Sequence, residues 1–236
     1  MLYIEIGNTT YKLARKDEKE EWQIHRYDHP EPLLSEIPIG SEILIAPVAE
    51  ARSVEILPQL DERGIVQSIE RKDFEKFLQG SYDTPETLGL DRILQLYALE
   101  KDGIVVSCGT AITVDGFCDS KPLWGAILPG FTMAAEGLSK RIPALPVVSA
   151  DDLTGIPARS SLESIANGIF LGTLYAVQGL VEALAEEGGI APSVPVTITG
   201  GAGEVLLDLW QDTREAELRP ALLFEGMARK QQASEN

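Results

Sequence analysis

The 236-residue chain has 44% hydrophobic residues and carries 37 acidic against 20 basic side chains, for a formal net charge of −17. This excess of acid argues against a nucleic-acid backbone or an anionic membrane surface as a partner. No run reaches the roughly 18 apolar residues of a membrane-spanning helix, and no basic segment precedes the first apolar run, so we expect a cytoplasmic globular protein without a signal peptide.

The first hundred residues predict a lobe that is rich in strands. Short apolar or alternating segments indicate a meander followed by further strands, with Gly7-Asn8-Thr9-Thr10 as the first turn. Strands are predicted at 2–6, 11–15, 21–27, 43–46 and 65–69, and an amphipathic helix at 50–63. Thr84-Pro85-Glu86 has the composition of a helix start, with apolar residues following at helical spacing.

The pattern restarts after residue 100. Strands are predicted at 104–106, 112–117, 123–128 and 194–199, and a long helix with a wide apolar face at 162–187. Gly7 and Gly109 each follow an apolar strand and precede a return strand. The chain therefore predicts two similar lobes, 1–100 and 101–236, with equivalent turns facing each other across a cleft. Two unrelated hairpins are the alternative.

Three glycine turns are candidates for phosphate binding. A turn of Gly and Thr at the end of an apolar strand presents backbone N–H groups and hydroxyls without side-chain bulk, which phosphate oxygens require. Such turns begin at Gly7, Gly109 and Gly200. Each alone could be an ordinary tight hairpin. Three of them at the ends of apolar strands favour a nucleotide ligand.

The segment Leu88-Gly89-Leu90-Asp91-Arg92 is the candidate for acid–base chemistry. Asp91 could take a proton from an attacking hydroxyl, and Arg92 could hold an anion. An ordinary exposed Asp-Arg pair is the alternative. Glu5 and Asp115, on strands that point toward the expected cleft, could hold Mg²⁺ through water.

The two cysteines and two histidines carry no recognisable site. Cys108 and Cys118 match no common zinc spacing, and we expect small, buried, reduced side chains. His25 and His29 lie in a polar stretch without a catalytic pattern, which favours a surface role.

Taken together and in order, these motifs resemble type III pantothenate kinase, the family that includes the Bvg accessory factor proteins. The segment from Tyr82 to Arg92 is the most specific match. The similar segments are 6–12, 82–92, 108–115, 125–130, 145–146, 161–168 and 199–201.

The resemblance implies an α/β fold of the acetate and sugar kinase/Hsc70/actin superfamily, with two similar lobes that each have a mixed sheet flanked by helices. It implies ATP-dependent phosphorylation of pantothenate to 4′-phosphopantothenate, the first step of coenzyme A biosynthesis. It also implies a homodimer in which each substrate pocket borrows residues from the partner, and a requirement for Mg²⁺ and a monovalent cation, K⁺ or NH₄⁺.

The resemblance also implies roles by position. Asp91 would be the general base. The implied pantothenate contacts are Tyr82, Gly89, Leu90, Arg92 and, from the partner subunit, Ser161, where the family usually has Thr. The implied ATP-binding residues are Glu5, Gly7, Asn8, Thr9, Lys12, Gly109, Thr110, Thr113, Gly200 and Gly201. Glu5 and Ser107 stand at the positions implied for metal binding.

Two departures bear on activity. Glu5 stands where the family usually has Asp, which moves the carboxylate by roughly 1.5 Å, about one carbon–carbon bond. Ser107 also replaces an Asp, and the lost charge would weaken the monovalent-cation site. An active kinase is the leading hypothesis. The alternatives are an impaired member that binds nucleotide or pantothenate as a regulatory or accessory protein, and another phosphotransferase or phosphohydrolase on the same fold.

Overall fold

The computed structural model describes residues 1–211 and 214–235. They divide into two compact units: unit 1 is Met1–Glu100 with the segment that begins at Ala221, and unit 2 is Lys101–Pro220. The predicted second lobe, 101–236, therefore differs from unit 2. The last helix packs with the first unit because its apolar face lies against a helix there.

Unit 1 contains a five-stranded mixed sheet with the strand order β3-β2-β1-β4-β5. The first three strands form the predicted antiparallel meander, and β4 and β5 continue the sheet in parallel. The strands are β1 Leu2–Ile6, β2 Tyr11–Lys16, β3 Trp22–Tyr27, β4 Ser41–Pro47 and β5 Gly64–Ser68. The helices are α1 Pro30–Ser35, α2 Glu50–Asp61, α3 Glu75–Leu78, α4 Leu90–Tyr97 and α8 Leu222–Glu235.

The central strand β1 is buried on both faces, and this sets the environment of Glu5. Ile4 and Ile6 point into the core that β2, β4, α1 and α2 share. Because side chains alternate along a strand, Tyr3 and Glu5 point to the opposite face. There Tyr3 packs edge-on against Trp22, which in turn contacts Phe224 of α8. Glu5 is accordingly only 7% exposed.

Helix α4 is held mainly by α8. Gly226 lies so close to the backbone of Leu94 that an added Cβ would overlap it. The Arg229 guanidinium donates to the carbonyls of Tyr97 and Leu99 at 2.7 Å each, which satisfies carbonyls that the end of a helix leaves unpaired.

The predicted helix start at Thr84 is wrong by several residues. Pro85–Thr87 is an isolated 3₁₀ turn, and α4 begins only at Leu90, with Gly89 as its N-cap. Leu88 and Gly89 have extended backbones, which separates the two elements. The Thr84 hydroxyl pairs with the Thr87 hydroxyl at 2.9 Å and caps no helix.

Unit 2 repeats the topology of unit 1. Its sheet has the order β10-β9-β6-β7-β8, with β6, β7 and β8 antiparallel and β9 and β10 parallel to β6. The strands are β6 Gly103–Cys108, β7 Ala111–Cys118, β8 Lys121–Pro129, β9 Val196–Thr199 and β10 Ala216–Leu218. The helices are α5 Phe131–Arg141, α6 Ser161–Gly188 and α7 Gly203–Leu209.

The long helix α6 forms one side of the unit 2 core. Phe170, Val177 and Val181 pack with apolar residues from the sheet, as the predicted apolar face requires. The Ser160 hydroxyl accepts the Glu163 N–H at its start, and Gly189 ends it with a φ of 67°. Among the described residues, α6 is the one helix whose length and composition would suit a membrane span, a test that core helices of water-soluble proteins also pass.

Both cysteines are free and buried, as predicted. Cys108 lies in the unit 2 core, where burial raises the pKa of its thiol to about 12. Cys118 ends β7, and its sulfur lies 3.5 Å from an oxygen of Asp102. A thiol that is protonated at neutral pH is a poor nucleophile and metal ligand, so Cys108 acts as a packing residue.

Candidate functional site

The turn between β1 and β2 is held by a backbone bond within the turn and by one from the residue before α2. The Gly7 N–H donates to the Thr10 carbonyl at 3.0 Å, and the Ile6 carbonyl accepts the Ala49 N–H at 2.8 Å. Gly7 is buried, whereas Asn8 and Thr9 are exposed. The tip of the turn is therefore open to a ligand, and its base is fixed.

Glu5 and Lys12 form a cross-strand ion pair directly below this turn. They face each other in the register of β1 and β2, with Lys12 Nζ at 2.6 Å from Glu5 Oε2. The other carboxylate oxygen faces Gly7, where an added Cβ would lie 3.2 Å from it. The pair brings a cation next to the candidate phosphate turn and neutralises a carboxylate that is nearly buried.

Asp91 lies in the first turn of α4, where the helix dipole favours a negative charge. Even so, burial raises the pKa of the Asp91 carboxyl above its ordinary value. The negative charge of Glu5 raises this pKa as well, and the backbone N–H of Arg92 opposes both effects. A carboxylate that is desolvated in this way is a stronger base than one in water.

Gly89 is needed for the position of that carboxylate. A Cβ at Gly89 would overlap Asp91 Oδ1, although the backbone angles of Gly89, φ −60° and ψ 130°, suit any residue. Gly89 therefore serves by leaving space for the side chain of Asp91 rather than by an unusual conformation.

The rest of the predicted substrate segment lies along the approach to α4. Tyr82 is half-buried, Leu90 is buried in the core, and Arg92 is 6% exposed. The link from the preceding 3₁₀ turn to α4 is held by Arg71, which lies before α3 and whose Nε donates to the Leu88 carbonyl at 2.6 Å. Unit 1 thus brings Glu5, which Lys12 pairs with, close enough to Asp91 for its charge to act on that carboxyl.

In unit 2, the turn between β6 and β7 is shorter than the first and is also closed by a glycine N–H. The Gly109 N–H donates to the Ala111 carbonyl at 3.0 Å, and the Thr110 carbonyl accepts the Gly130 N–H at 2.9 Å. A Cβ at Gly130 would overlap the carbonyl oxygen of Gly109. Gly109 and Thr110 are exposed at the tip of this turn.

Gly200 and Gly201 follow β9 beside the same turn. Gly200 has a φ of 88°, and a Cβ there would overlap the backbone of Cys108. The Cys108 carbonyl also accepts the Ala202 N–H at 3.0 Å. Unit 2 therefore brings two of the three predicted glycine turns together.

We expect Gly200→Ala to lower the free energy of unfolding by about 3 kcal/mol, because it combines left-handed backbone strain with a backbone clash. Gly155→Ala is the matched control: Gly155 has a φ of 85° and open space around its Cβ position, so about 1 kcal/mol is expected. Urea denaturation of both variants measures the difference. Equal losses would show that the Gly200 turn moves away from Cys108 at no cost.

Hydroxyls line one row of the unit 2 sheet. Thr199, Ser107 and Thr113 lie opposite one another on β9, β6 and β7, on the face away from the apolar core. Thr113 is 8% exposed, and its hydroxyl has no hydrogen-bond partner among the described residues. Asp115, two residues further along β7, is buried and accepts the Gly125 N–H at 3.1 Å. The row presents neutral hydroxyl groups, rather than carboxylates, to a ligand.

Ser161 is the first residue of α6 and is exposed. It lies at one end of an apolar face that α6 and α5 leave open, with a groove of about 470 Å³. The residues that line this groove are Ala134, Leu138, Ser164, Ile165, Gly168 and Ile169. Leu162 and Tyr175, also on α6, are 38% and 60% exposed.

Sequence reasoning missed Arg52 of α2. Its guanidinium donates to the Gly7 carbonyl at 3.0 Å and lies 3.9 Å from the centre of the Tyr11 ring. No motif marks an arginine in an amphipathic helix as a support for a distant turn, so the sequence carried no signal for this contact.

A profile described as type III pantothenate kinase matches residues 1–183. A type III pantothenate kinase from Persephonella marina is 34% identical over 132 residues, which cover 53% of this chain and 51% of the relative. One from Synechococcus elongatus is 36% identical over 154 residues, 62% of this chain and 60% of the relative. The matched segment thus spans about half to three fifths of the length of these relatives.

A crystal structure of a Campylobacter jejuni protein described as a Baf family transcriptional activator aligns over the full length of both chains. The TM-score is 0.68 and the sequence identity 22%. At this identity the likeness concerns the fold alone. The α/β architecture that the resemblance implied is confirmed, with a mixed sheet flanked by helices in each of two similar units.

Proposed function

Because the chain belongs to the type III pantothenate kinase family, we propose that it phosphorylates pantothenate with ATP, giving 4′-phosphopantothenate and ADP in the first step of coenzyme A biosynthesis. The observation that carries the proposal is Asp91: a desolvated carboxylate whose pKa is raised by burial, in the motif by which the chain resembles the family. We place the reaction in the cytoplasm, in keeping with the composition.

In the proposed reaction, the primary hydroxyl of pantothenate attacks the γ-phosphorus of ATP. The new O–P bond forms as the bond to the β–γ bridging oxygen breaks, and ADP leaves. Asp91 accepts the hydroxyl proton, which later passes to solvent. Because this transition state is loose, the base is needed late, and most of the rate comes from positioning and charge neutralisation.

The substrate contacts in the proposal follow the motif. Tyr82, Gly89, Leu90 and Arg92 are assigned to pantothenate. For Leu90 this means its backbone, since the side chain is buried. Arg92 suits the pantothenate carboxylate because a guanidinium pairs with carboxylates in a two-pronged geometry.

The ATP contacts in the proposal come from both units. In unit 1 they are the exposed tip of the first turn, Asn8 and Thr9, with Gly7 and Lys12. In unit 2 they are Gly109, Thr110, Thr113, Gly200 and Gly201. Backbone N–H groups of glycine turns and the Lys12 ammonium offset the repulsion that a chain of net charge −17 exerts on a nucleotide.

The side chains at the two implied cation positions differ in how well they suit Mg²⁺ and a monovalent cation. Glu5 supplies an oxygen of the kind that Mg²⁺ prefers, but one of its oxygens is paired with Lys12. We therefore assign Glu5 to Mg²⁺ through water; the bound ion would neutralise charge on the phosphates. Ser107 offers only a neutral hydroxyl, so we propose that any K⁺ or NH₄⁺ requirement is weak.

We further propose a homodimer that pairs through the exposed apolar face of α6 and α5. This face carries a groove with exposed leucine and tyrosine beside it, and contiguous apolar surface of this kind marks association sites. Ser161 at its edge would then contact pantothenate of the partner subunit. Sedimentation velocity should give twice the chain mass at assay concentrations, and a monomer mass would contradict the pairing.

The test of function is an ADP-release assay with ATP, Mg²⁺ and pantothenate, with and without K⁺. Release that depends on pantothenate is expected, with little change on adding K⁺. Absence of turnover from a folded chain that still binds ATP or pantothenate would contradict the kinase. Recovery of turnover on Glu5→Asp and Ser107→Asp would then assign the loss to these two positions.

A further inference from the structure

Arg52 is placed where an arginine is electrostatically unfavourable. It lies in the first turn of α2, which begins at Glu50, and the partial positive charge at a helix N-terminus repels a cation placed there. No carboxylate within the described part of the chain pairs with its guanidinium. A cation at this unfavourable position indicates that the contacts of Arg52 have a function.

The contacts of Arg52 join both ends of the β1–β2 turn. One nitrogen, Nη1, donates to the carbonyl of Gly7, at the start of the turn. The guanidinium stacks at 3.9 Å on Tyr11, which ends the turn and is 2% exposed. The second nitrogen, Nη2, donates to the Asp28 carbonyl at 3.2 Å, which ties the arginine to the segment after β3.

The Gly7 contact fixes the direction of the next N–H group. In a trans peptide, the carbonyl of one residue and the N–H of the following residue point in opposite directions. The Gly7–Asn8 peptide is trans. Because Arg52 holds the Gly7 carbonyl on its side, the Asn8 N–H points away from Arg52, toward the exposed tip of the turn.

We propose that Arg52 is a positioning residue for nucleotide phosphate, which orients the Asn8 N–H and adds an unpaired positive charge behind the turn. This inference rests on the proposed function. A phosphate oxygen at the turn tip would accept a hydrogen bond from an N–H group whose direction is already fixed in the free protein. Binding then loses less conformational entropy than it would at a mobile turn. Arg52 itself touches no substrate in this role.

Arg52→Gln tests the inference in steady-state kinetics. We expect the KM for ATP to rise about tenfold with kcat changed less than about twofold, since the turn holds phosphate alike in the ground and transition states. The KM for pantothenate should not change. Arg52→Lys keeps the charge but cannot make the forked contacts, and about a threefold rise in the ATP KM is expected.

Arg63 supplies the matched control. It follows α2 at the opposite end, and its Nη1 donates to the Ile37 carbonyl at 3.4 Å, away from the turn. Arg63→Gln removes the same charge and one hydrogen bond from the other end of α2. It should lower the melting temperature no more than Arg52→Gln does and leave the KM for ATP at the wild-type value.

The outcomes separate this inference from the function on which it rests. An active wild-type chain whose Arg52→Gln variant keeps the wild-type KM for ATP would overturn the inference alone. An equal rise in the Arg63→Gln variant would do the same, because general loosening would explain both. Failure of the wild-type chain to bind or use ATP would overturn the function and the inference together. If Arg52→Gln does not fold, Arg52→Lys decides by the same criteria.

Discussion

Asp91→Asn should lower kcat about a thousandfold, within the range that a positioned general base contributes. Asparagine has nearly the same shape and keeps the first turn of α4, but its amide cannot accept a proton from the pantothenate hydroxyl. The dissociation constant of ATP, measured by calorimetry, should stay close to the wild-type value. Undiminished turnover in this variant would refute the assignment of Asp91 as the base.

The same substitution should stabilise the protein at neutral pH. Burial raises the pKa of Asp91 in the folded state. The carboxyl therefore contributes fully to stability only while it is protonated in both the folded and the unfolded chain, which holds below about pH 3.9, the ordinary pKa of Asp. That contribution is lost as the pH rises through the raised folded-state pKa. Asp91→Asn carries no charge to desolvate, so its melting temperature should exceed that of the wild type at pH 7, and the difference should shrink in acid.

The exposed Asp61 at the end of α2 provides the control for both effects. Asp61→Asn should leave kcat unchanged and shift stability by less than about 0.5 kcal/mol, as surface substitutions commonly do. In the wild type, kcat should also fall in acid as Asp91 becomes protonated. The residual activity of Asp91→Asn should lack this acid-side fall in its dependence on pH.

Gly89→Ala should lower kcat about a hundredfold while leaving the fold intact, because small displacements of a reacting group have effects of this size. The new methyl group would occupy the space of Asp91 Oδ1 and force the carboxylate to rotate. The backbone of Gly89 suits alanine, and the gain of about 0.4–1 kcal/mol through the unfolded chain offsets the loss of roughly the same size that Ala causes at a helix N-cap.

The signature of this variant is thus a slower enzyme that unfolds no more easily than the wild type. Gly179→Ala, on the exposed side of α6 with open space around it, should be at least as stable as the wild type with unchanged kcat. Wild-type kcat in Gly89→Ala would mean that the carboxylate position in the folded chain is not the catalytic one.

The main elements were predictable because their apolar periodicity is strong. The buried strands β1, β4 and β6 and the long helix α6 all lie where the sequence predicts them. The family was predictable as well, since the segment from Tyr82 to Arg92 joins several chemical residue types at fixed spacing.

Elements with weak periodicity were missed for identifiable reasons. Helix α1 contains two prolines in six residues, and α5 begins beside Gly130 and has few apolar residues in register. The predicted assignment of the C-terminal segment to the second lobe failed because sequence order does not reveal which unit a terminal helix joins. Close approaches such as that of Gly226 to Leu94 decide this, and they depend on the packed structure.

The electrostatics of the site were not predictable from residue types. The Glu5 substitution suggested a displaced metal ligand, whereas the structure pairs its carboxylate with Lys12 on the neighbouring strand. The contact depends on the register of β1 and β2, which places the two residues opposite each other. Arg52 lies in a helix whose sequence shows only an amphipathic pattern.

The return of α8 to unit 1 has a consequence for synthesis on the ribosome. Unit 2 is one continuous segment and can fold as soon as it emerges, whereas α4 must wait for residues 221–235 to cover Leu94 and receive Arg229. Until then its buried face, which includes Ile93 and Leu96, is open to chaperones and to unwanted association. The helix that carries Asp91 is therefore completed only after the whole of unit 2 has been synthesised.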